Sequence, residues 1–150
     1  MLKTIPPALT PDLLWVLAAM GHGDRLAIVN ANYPAYSRHE RVIVLPGVSL
    51  MDAISAIVQL MPVDDVTDMP AFRMVPDGKP DDLVEVHRDV QRLLDAAEGR
   101  AVGMQAVERT PFFGLAETAF AAVATTDNRP FGCFVITKGV VRAARLIAMN

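Results

Sequence analysis

The stretch Met20-Gly21-His22-Gly23-Asp24-Arg25-Leu26-Ala27-Ile28-Val29-Asn30-Ala31-Asn32-Tyr33-Pro34-Ala35-Tyr36-Ser37 decides how the chain is read. It joins the end of a helix to the short apolar run Leu26–Val29, a central strand, and leaves that strand through a polar and aromatic turn. Glycines on both sides of His22 allow backbone conformations that a side-chained residue resists. Asp24 lies two residues past the imidazole, near enough in sequence to orient it. Asn30 and Asn32 follow where the strand ends, and in open α/β sheets small ligands bind at the carboxyl ends of strands. The stretch therefore outlines a small polar-ligand site, with a titrating group, amides and an aromatic face expected at one mouth.

Outside this stretch, composition sets limits. At 150 residues the chain is expected to be one domain, long enough to bury a core. Apolar residues reach 52%, charged residues 21%, and mean hydropathy is +0.30. That apolar surplus over an average domain suggests burial between subunits. No uninterrupted apolar run approaches the roughly 20 residues of a membrane helix. The N-terminus lacks a basic segment followed by a long apolar one, so secretion is not expected. A single cysteine, Cys133, excludes an internal disulfide framework and suits a reducing cytoplasm. A net charge of −3 without a basic cluster argues against nucleic acid as a partner.

Thr10-Pro11-Asp12 reads as a helix start, with a capping hydroxyl, proline at the first position and an acid in the first turn. Leu13, Leu14, Val16, Leu17 and Met20 carry helical periodicity up to Gly21. Val42–Leu45 is a second strand. Ser49 with Asp52 resembles an acidic capping box opening a helix that Pro62 closes. Ala71–Val75 reads as a third strand, and Pro76–Pro80 as a turn. A helix opening at Asp81 or Asp82 runs to Gly99, with Leu83, Val86, Val90, Leu93, Leu94 and Ala97 on one face. Val102–Val107 is a strand with Arg109 just after it, Pro111–Phe120 a short helix running into Ala121–Ala124, and Phe131–Thr137 a last strand. Alternating strands and helices predict a single-domain α/β fold, a mainly parallel sheet with helices on both faces.

His22 is the strongest candidate for chemistry, because imidazole exchanges protons at cellular pH. It reads equally as a loop histidine near a helix C-terminus. Arg109 can clamp hydroxyls or a carboxylate, or form a surface ion pair with Glu108 or Glu117. Phe112, Phe113 and Phe120 are expected in the core. Phe131-Gly132-Cys133 heads a strand, where one side chain can line a pocket, and Cys133 lacks an activating neighbour in sequence. His39 is expected in a solvated loop, and His87 half exposed at the edge of its helix. No histidine pair or Cys–His spacing marks a structural metal site, and Gly21-His22-Gly23 is not a dinucleotide fingerprint.

Taken together, Met1-Leu2-Lys3-Thr4-Ile5, Leu13-Leu14, Met20-Gly21-His22-Gly23-Asp24 and Asn30-Ala31-Asn32-Tyr33-Pro34-Ala35 resemble the L-fucose mutarotase and D-ribose pyranase (RbsD/FucU) family, and its fucose branch more closely. Arg109, Phe112, Ala116, Ala119-Phe120 and Lys138-Gly139-Val140 fall in the order of its C-terminal half. The resemblance implies an RbsD-like α/β fold, a ring-shaped homodecamer, a monosaccharide pocket near subunit contacts, and interconversion of sugar ring forms without a cofactor. His22 matches the family's proton-donating histidine. Asn30 stands at a position that usually holds a sugar-binding aspartate, and Arg109 matches a sugar-binding arginine. Phe131, Gly132 and Cys133 match a sugar-contacting Tyr-Gly-Asn segment.

The departures remove a phenolic hydroxyl at Phe131, an amide at Cys133 and a carboxylate at Asn30, and Phe113 replaces a usual tyrosine. A changed sugar preference is expected, since a missing partner leaves buried polar groups unpaired. The expected function is a mutarotase-like isomerase using His22 and Asp24 for proton transfer. Asn30, Arg109, Phe131, Gly132 and Cys133 are expected to hold the sugar. The competing reading is a non-catalytic monosaccharide binder on the same scaffold, and a purely structural assembly protein is a third.

Overall fold

The structure is a computed structural model that describes residues 1–143. Its elements run α1 (Pro11–Ala19), β1 (Arg25–Val29), α2 (Ala35–Arg38), β2 (Val42–Leu45), α3 (Leu50–Val58), β3 (Ala71–Val75), α4 (Glu85–Glu98), β4 (Met104–Glu108), α5 (Arg109–Glu117), β5 (Ala121–Thr125) and β6 (Cys133–Thr137). Local chemistry sets most of these boundaries. The Thr10 hydroxyl accepts the Leu13 N–H and opens α1, and the Ser49 hydroxyl accepts the Asp52 N–H and opens α3. Gly99 closes α4 in the left-handed conformation. α1 ends at Ala19, two residues before Gly21, and Lys138 Nζ donates to the Leu17 and Met20 carbonyls that the helix end leaves without partners.

The strands form one six-stranded sheet in the order β2-β5-β1-β6-β3-β4. β1 pairs parallel with β5 and β5 with β2, while β3 pairs parallel with β4; β6 lies between β1 and β3, antiparallel to both. Five strands therefore share one direction, and the expectation of a mainly parallel sheet holds. The larger core packs Leu13, Val16 and Leu17 of α1, Ile54 and Ile57 of α3, and Val90 and Leu94 of α4 onto Leu26, Ile28, Val123, Phe134 and Ile136. The smaller core, on the other face, packs Tyr33, Ala35, Phe112 and Ala116 onto Ala27, Val29, Met74, Ala122 and Val135. Both faces carry helices, so the strands are apolar on both sides.

Three local expectations change. Ala121–Ala124 does not prolong the preceding helix but forms β5. Alanine favours helix in isolation, yet this run is flanked by β1 and β2 and buried on both faces, where small side chains let two layers close on one strand. α4 begins at Glu85 rather than at Asp81 or Asp82, because the Val84 N–H is taken by the His87 ring. The four-residue α2 was not anticipated; its Ala35 packs into the smaller core. Among the described residues no helix is long and apolar enough to cross a membrane.

Candidate functional site

At the carboxyl ends of β1, β3 and β4 the chain leaves a cavity of about 280 Å³. Asn30, Asn32 and Tyr33 reach it from the loop after β1, Met74 from β3, Arg109 and Phe113 from α5, and Phe131 and Cys133 from the start of β6. The wall is mainly aromatic and sulfur-bearing, with one guanidinium at its rim. This is the crevice position where open α/β sheets take small ligands.

Each polar group here is tied to the scaffold. Asn30 is buried; its Nδ2 donates to the Arg129 carbonyl at 3.0 Å and its Oδ1 accepts the Asn32 N–H at 3.2 Å. The Cys133 thiol also approaches Asn30 Oδ1, at 3.7 Å. An ionised aspartate at position 30 has no hydrogen to give that carbonyl, which accounts for the amide in this chain. Burial pushes the Cys133 thiol up to about 12, so it remains protonated and is not a nucleophile. Burial, with a contribution from Cys133, pushes the Tyr33 phenol up to about 12, and its hydroxyl pairs with His39 Nε2 at 2.9 Å. His39 is itself half-buried, and burial lowers its pKa, so the expected solvated loop histidine instead packs against Tyr33, behind the cavity's lining.

Arg109 opens α5 directly after β4, and its side chain is 55% exposed. It pairs with Asp77 at 3.2 Å, not with Glu108 or Glu117; Glu117 is held by Arg38. Asp77 also accepts the Thr110 N–H and hydroxyl, both at 2.9 Å. These Thr110 bonds, followed by the Arg109 guanidinium, hold the Asp77 carboxyl below its usual range. A turn residue thereby caps α5 and aims the arginine. Gly132 contributes a turn rather than a wall: its N–H meets the Arg129 carbonyl at 3.2 Å, and a Cβ there would come within 3.1 Å of the same oxygen. Phe112 is core as expected, while Phe113 faces the cavity and Phe120 lies against the exposed Trp15.

His22 is elsewhere. It precedes β1, whereas the cavity lies beyond the other end of that strand, and the five residues of β1 alone span about 16 Å. The expectation of one mouth holding the imidazole, the amides and the aromatics is corrected within a single chain. Asp24 is corrected too: its carboxylate accepts the Gly21 N–H at 2.7 Å and shapes the loop. The imidazole partner is Asp64, with His22 Nε2 and Asp64 Oδ1 3.0 Å apart. Asp64 is buried and also accepts the Val66 N–H, the Thr67 N–H and the Thr67 hydroxyl. Burial favours its protonated form, but the Thr67 and His22 side chains and the two backbone donors outweigh it and hold the carboxyl down to about 2. The His22 ring, 46% exposed, is thus held through one nitrogen by a fixed anion, and its second nitrogen has no partner among the described residues. Asp64 escaped the sequence reading because it lies 42 positions away in an irregular segment.

Two features now stand at opposite edges of one sheet: an anchored, half-exposed histidine and an aromatic pocket with one arginine. The family model described as the RbsD / FucU transport protein family matches residues 3–141. The chain belongs to this family. It is 38% identical over 145 residues to the L-fucose mutarotase of Actinobacillus pleuropneumoniae serotype 5b, covering 93% of this chain and 97% of that protein. It is 34% identical over 142 residues to the L-fucose mutarotase of Histophilus somni strain 2336, with the same coverage. The crystal structure of the fucose mutarotase from Streptococcus pneumoniae in complex with L-fucose superposes with a TM-score of 0.86 at 31% identity, covering 94% of this chain and 100% of that one. The RbsD/FucU membership fits the α/β sheet and the pocket at its carboxyl edge.

Proposed function

We propose that this RbsD/FucU chain is a monosaccharide mutarotase whose sugar lies in the pocket of Asn30, Arg109, Phe131 and Cys133, with His22 of a neighbouring copy as the proton-transfer group. The observation that carries this reading is the separation of an anchored, half-exposed imidazole from the pocket by the length of β1. One chain cannot bring both to one sugar, but a head-to-tail contact can. Such contacts use two different patches and close into rings when the rotation permits. Exposed apolar side chains accompany both edges: Val66 and Met69 on the segment that carries Asp64, and Tyr36 on α2 beside the pocket.

Mutarotation moves protons and breaks one bond reversibly. A base removes the anomeric O–H proton as an acid protonates the ring oxygen, the C–O bond of the ring opens to an aldehyde, and reversal on the other face gives the second anomer. No electrons are gained or lost, so the reaction requires no redox cofactor. His22 handles one of these protons, and the Asp64 carboxylate orients the ring. Arg109 donates to sugar hydroxyls, while Phe113 and Phe131 cover the apolar face of the ring. General acid–base catalysis of about 10²–10⁴-fold suits a reaction that water already performs.

A non-catalytic binder remains the second reading, favoured by the Asn30 amide being taken up by Arg129 and Asn32 and by a thiol at Cys133. Saturation-transfer NMR of anomer exchange with L-fucose and D-ribose separates the two. The wild type accelerates exchange and His22→Ala returns it to the buffer rate; binding without acceleration makes the protein a binder, and unchanged exchange in His22→Ala refutes the role of His22.

A further inference from the structure

His87 is fully buried and takes no part in the chemistry above. Its Nδ1 accepts the Val84 N–H at 3.3 Å, so the neutral ring carries its hydrogen on Nε2. Nε2 lies 3.2 Å from the carbonyl of Phe131 and donates to it, and the ring stands edge-on against Phe134 with centroids 5.9 Å apart. Phe131 has φ +58°, in the left-handed region that residues with side chains avoid. It is also a wall of the pocket, and backbone held in a rare conformation beside a cavity depends on its surroundings to stay there.

We propose that His87 is a positioning residue for the pocket: by holding the Phe131 carbonyl it keeps Phe131 left-handed, and so aims the Phe131 ring at the bound sugar. The proposal rests on the reading of this cavity as the sugar site. α4 thereby governs the pocket wall without touching the ligand. The same ring also caps the start of α4, and the two roles separate by substitution. Asn at 87 reproduces an acceptor near Nδ1 and loses the bond to Phe131. Gln reproduces a donor near Nε2 and loses the bond to Val84.

The test measures L-fucose affinity by titration NMR, thermal midpoint, and the Phe131 ring resonances without sugar, for His87→Asn, His87→Gln and each combined with Phe131→Ala. His87→Asn should move the Phe131 ring resonances and weaken L-fucose binding about five- to tenfold, the usual scale of one lost hydrogen bond. His87→Gln should restore both, whatever its effect on the thermal midpoint. In the Phe131→Ala background, His87→Asn should change affinity no further. Unmoved Phe131 resonances in His87→Asn, or an affinity penalty that persists without the Phe131 ring, overturns the proposal. A wild type that does not bind L-fucose defeats the sugar reading instead, and the Phe131 resonances still decide the role of His87.

Discussion

At the scale of residues, the two buried-edge histidines set how stability responds to acid. Burial, reinforced by the Arg73 and Arg88 guanidiniums, lowers the His87 pKa despite the hydrogen bond to the Phe131 carbonyl, and burial lowers that of His39. A base whose folded pKa lies below its unfolded value takes up protons first in the unfolded chain. Stability should therefore be undiminished above about pH 6.5 and decline as pH falls below it. Urea midpoints between pH 7.5 and 5 check this, and His87→Gln should flatten part of the slope while His39 retains the rest. A slope unchanged in His87→Gln contradicts the buried neutral ring. Asp64 acts in a lower window: its contribution is full above pH 3.8 and is lost as pH falls towards about 2. Of the individual side chains, Asn30, Arg109, Phe131 and Cys133 were recognisable in sequence because each sits at a strand end. Asp64, Asp77 and His87 were not, since their partners lie 42, 32 and 44 positions away and periodicity carries no trace of such pairings.

At the scale of elements, caps and apolar periods located α1, α3, β1, β2 and β3 closely. β5 failed because alanine favours helix locally, and its strand state comes from pairing on both sides. The more consequential error concerned β1 itself. Reading Gly-His-Gly-Asp and Asn-Ala-Asn-Tyr as one site treats neighbours in sequence as neighbours in space, whereas a strand carries its two ends apart. The His22 edge is instead built by a staple between β6 and the segment after α3: Gly139 N–H meets the Pro62 carbonyl at 2.8 Å, and Asp64 N–H meets the Thr137 carbonyl at 3.0 Å. A Cβ on Gly139 would lie 2.8 Å from Asp64 Cα and 2.9 Å from the Val63 carbonyl oxygen. Gly139→Ala should therefore cost about 1–3 kcal/mol in chemical denaturation, the usual scale of overpacking, and slow sugar exchange by displacing Asp64 from His22. Wild-type stability in that variant would show that the staple yields freely.

At the scale of the whole molecule, the 52% apolar composition is only partly absorbed by the two cores. Trp15 at 57% exposure, Tyr36 at 79% and Val66 at 67% remain at the surface, and β2 and β4 leave the sheet with two open edges. The proposed ring of copies would cover such surfaces and bring the His22 edge of one copy to the pocket of the next. The central claim is that sharing, and subunit complementation tests it most directly. His22→Ala and Arg109→Ala are each purified alone and also coexpressed, and L-fucose anomer exchange is measured in all three preparations. Random pairing at a head-to-tail contact puts an intact His22 against an intact Arg109 pocket at roughly a quarter of the interfaces. Each variant alone should be inactive, and the coexpressed assembly should recover about that fraction of wild-type exchange. No recovery in a coexpressed assembly of wild-type size would contradict the account, because it would place the imidazole and the pocket of each working site on one chain.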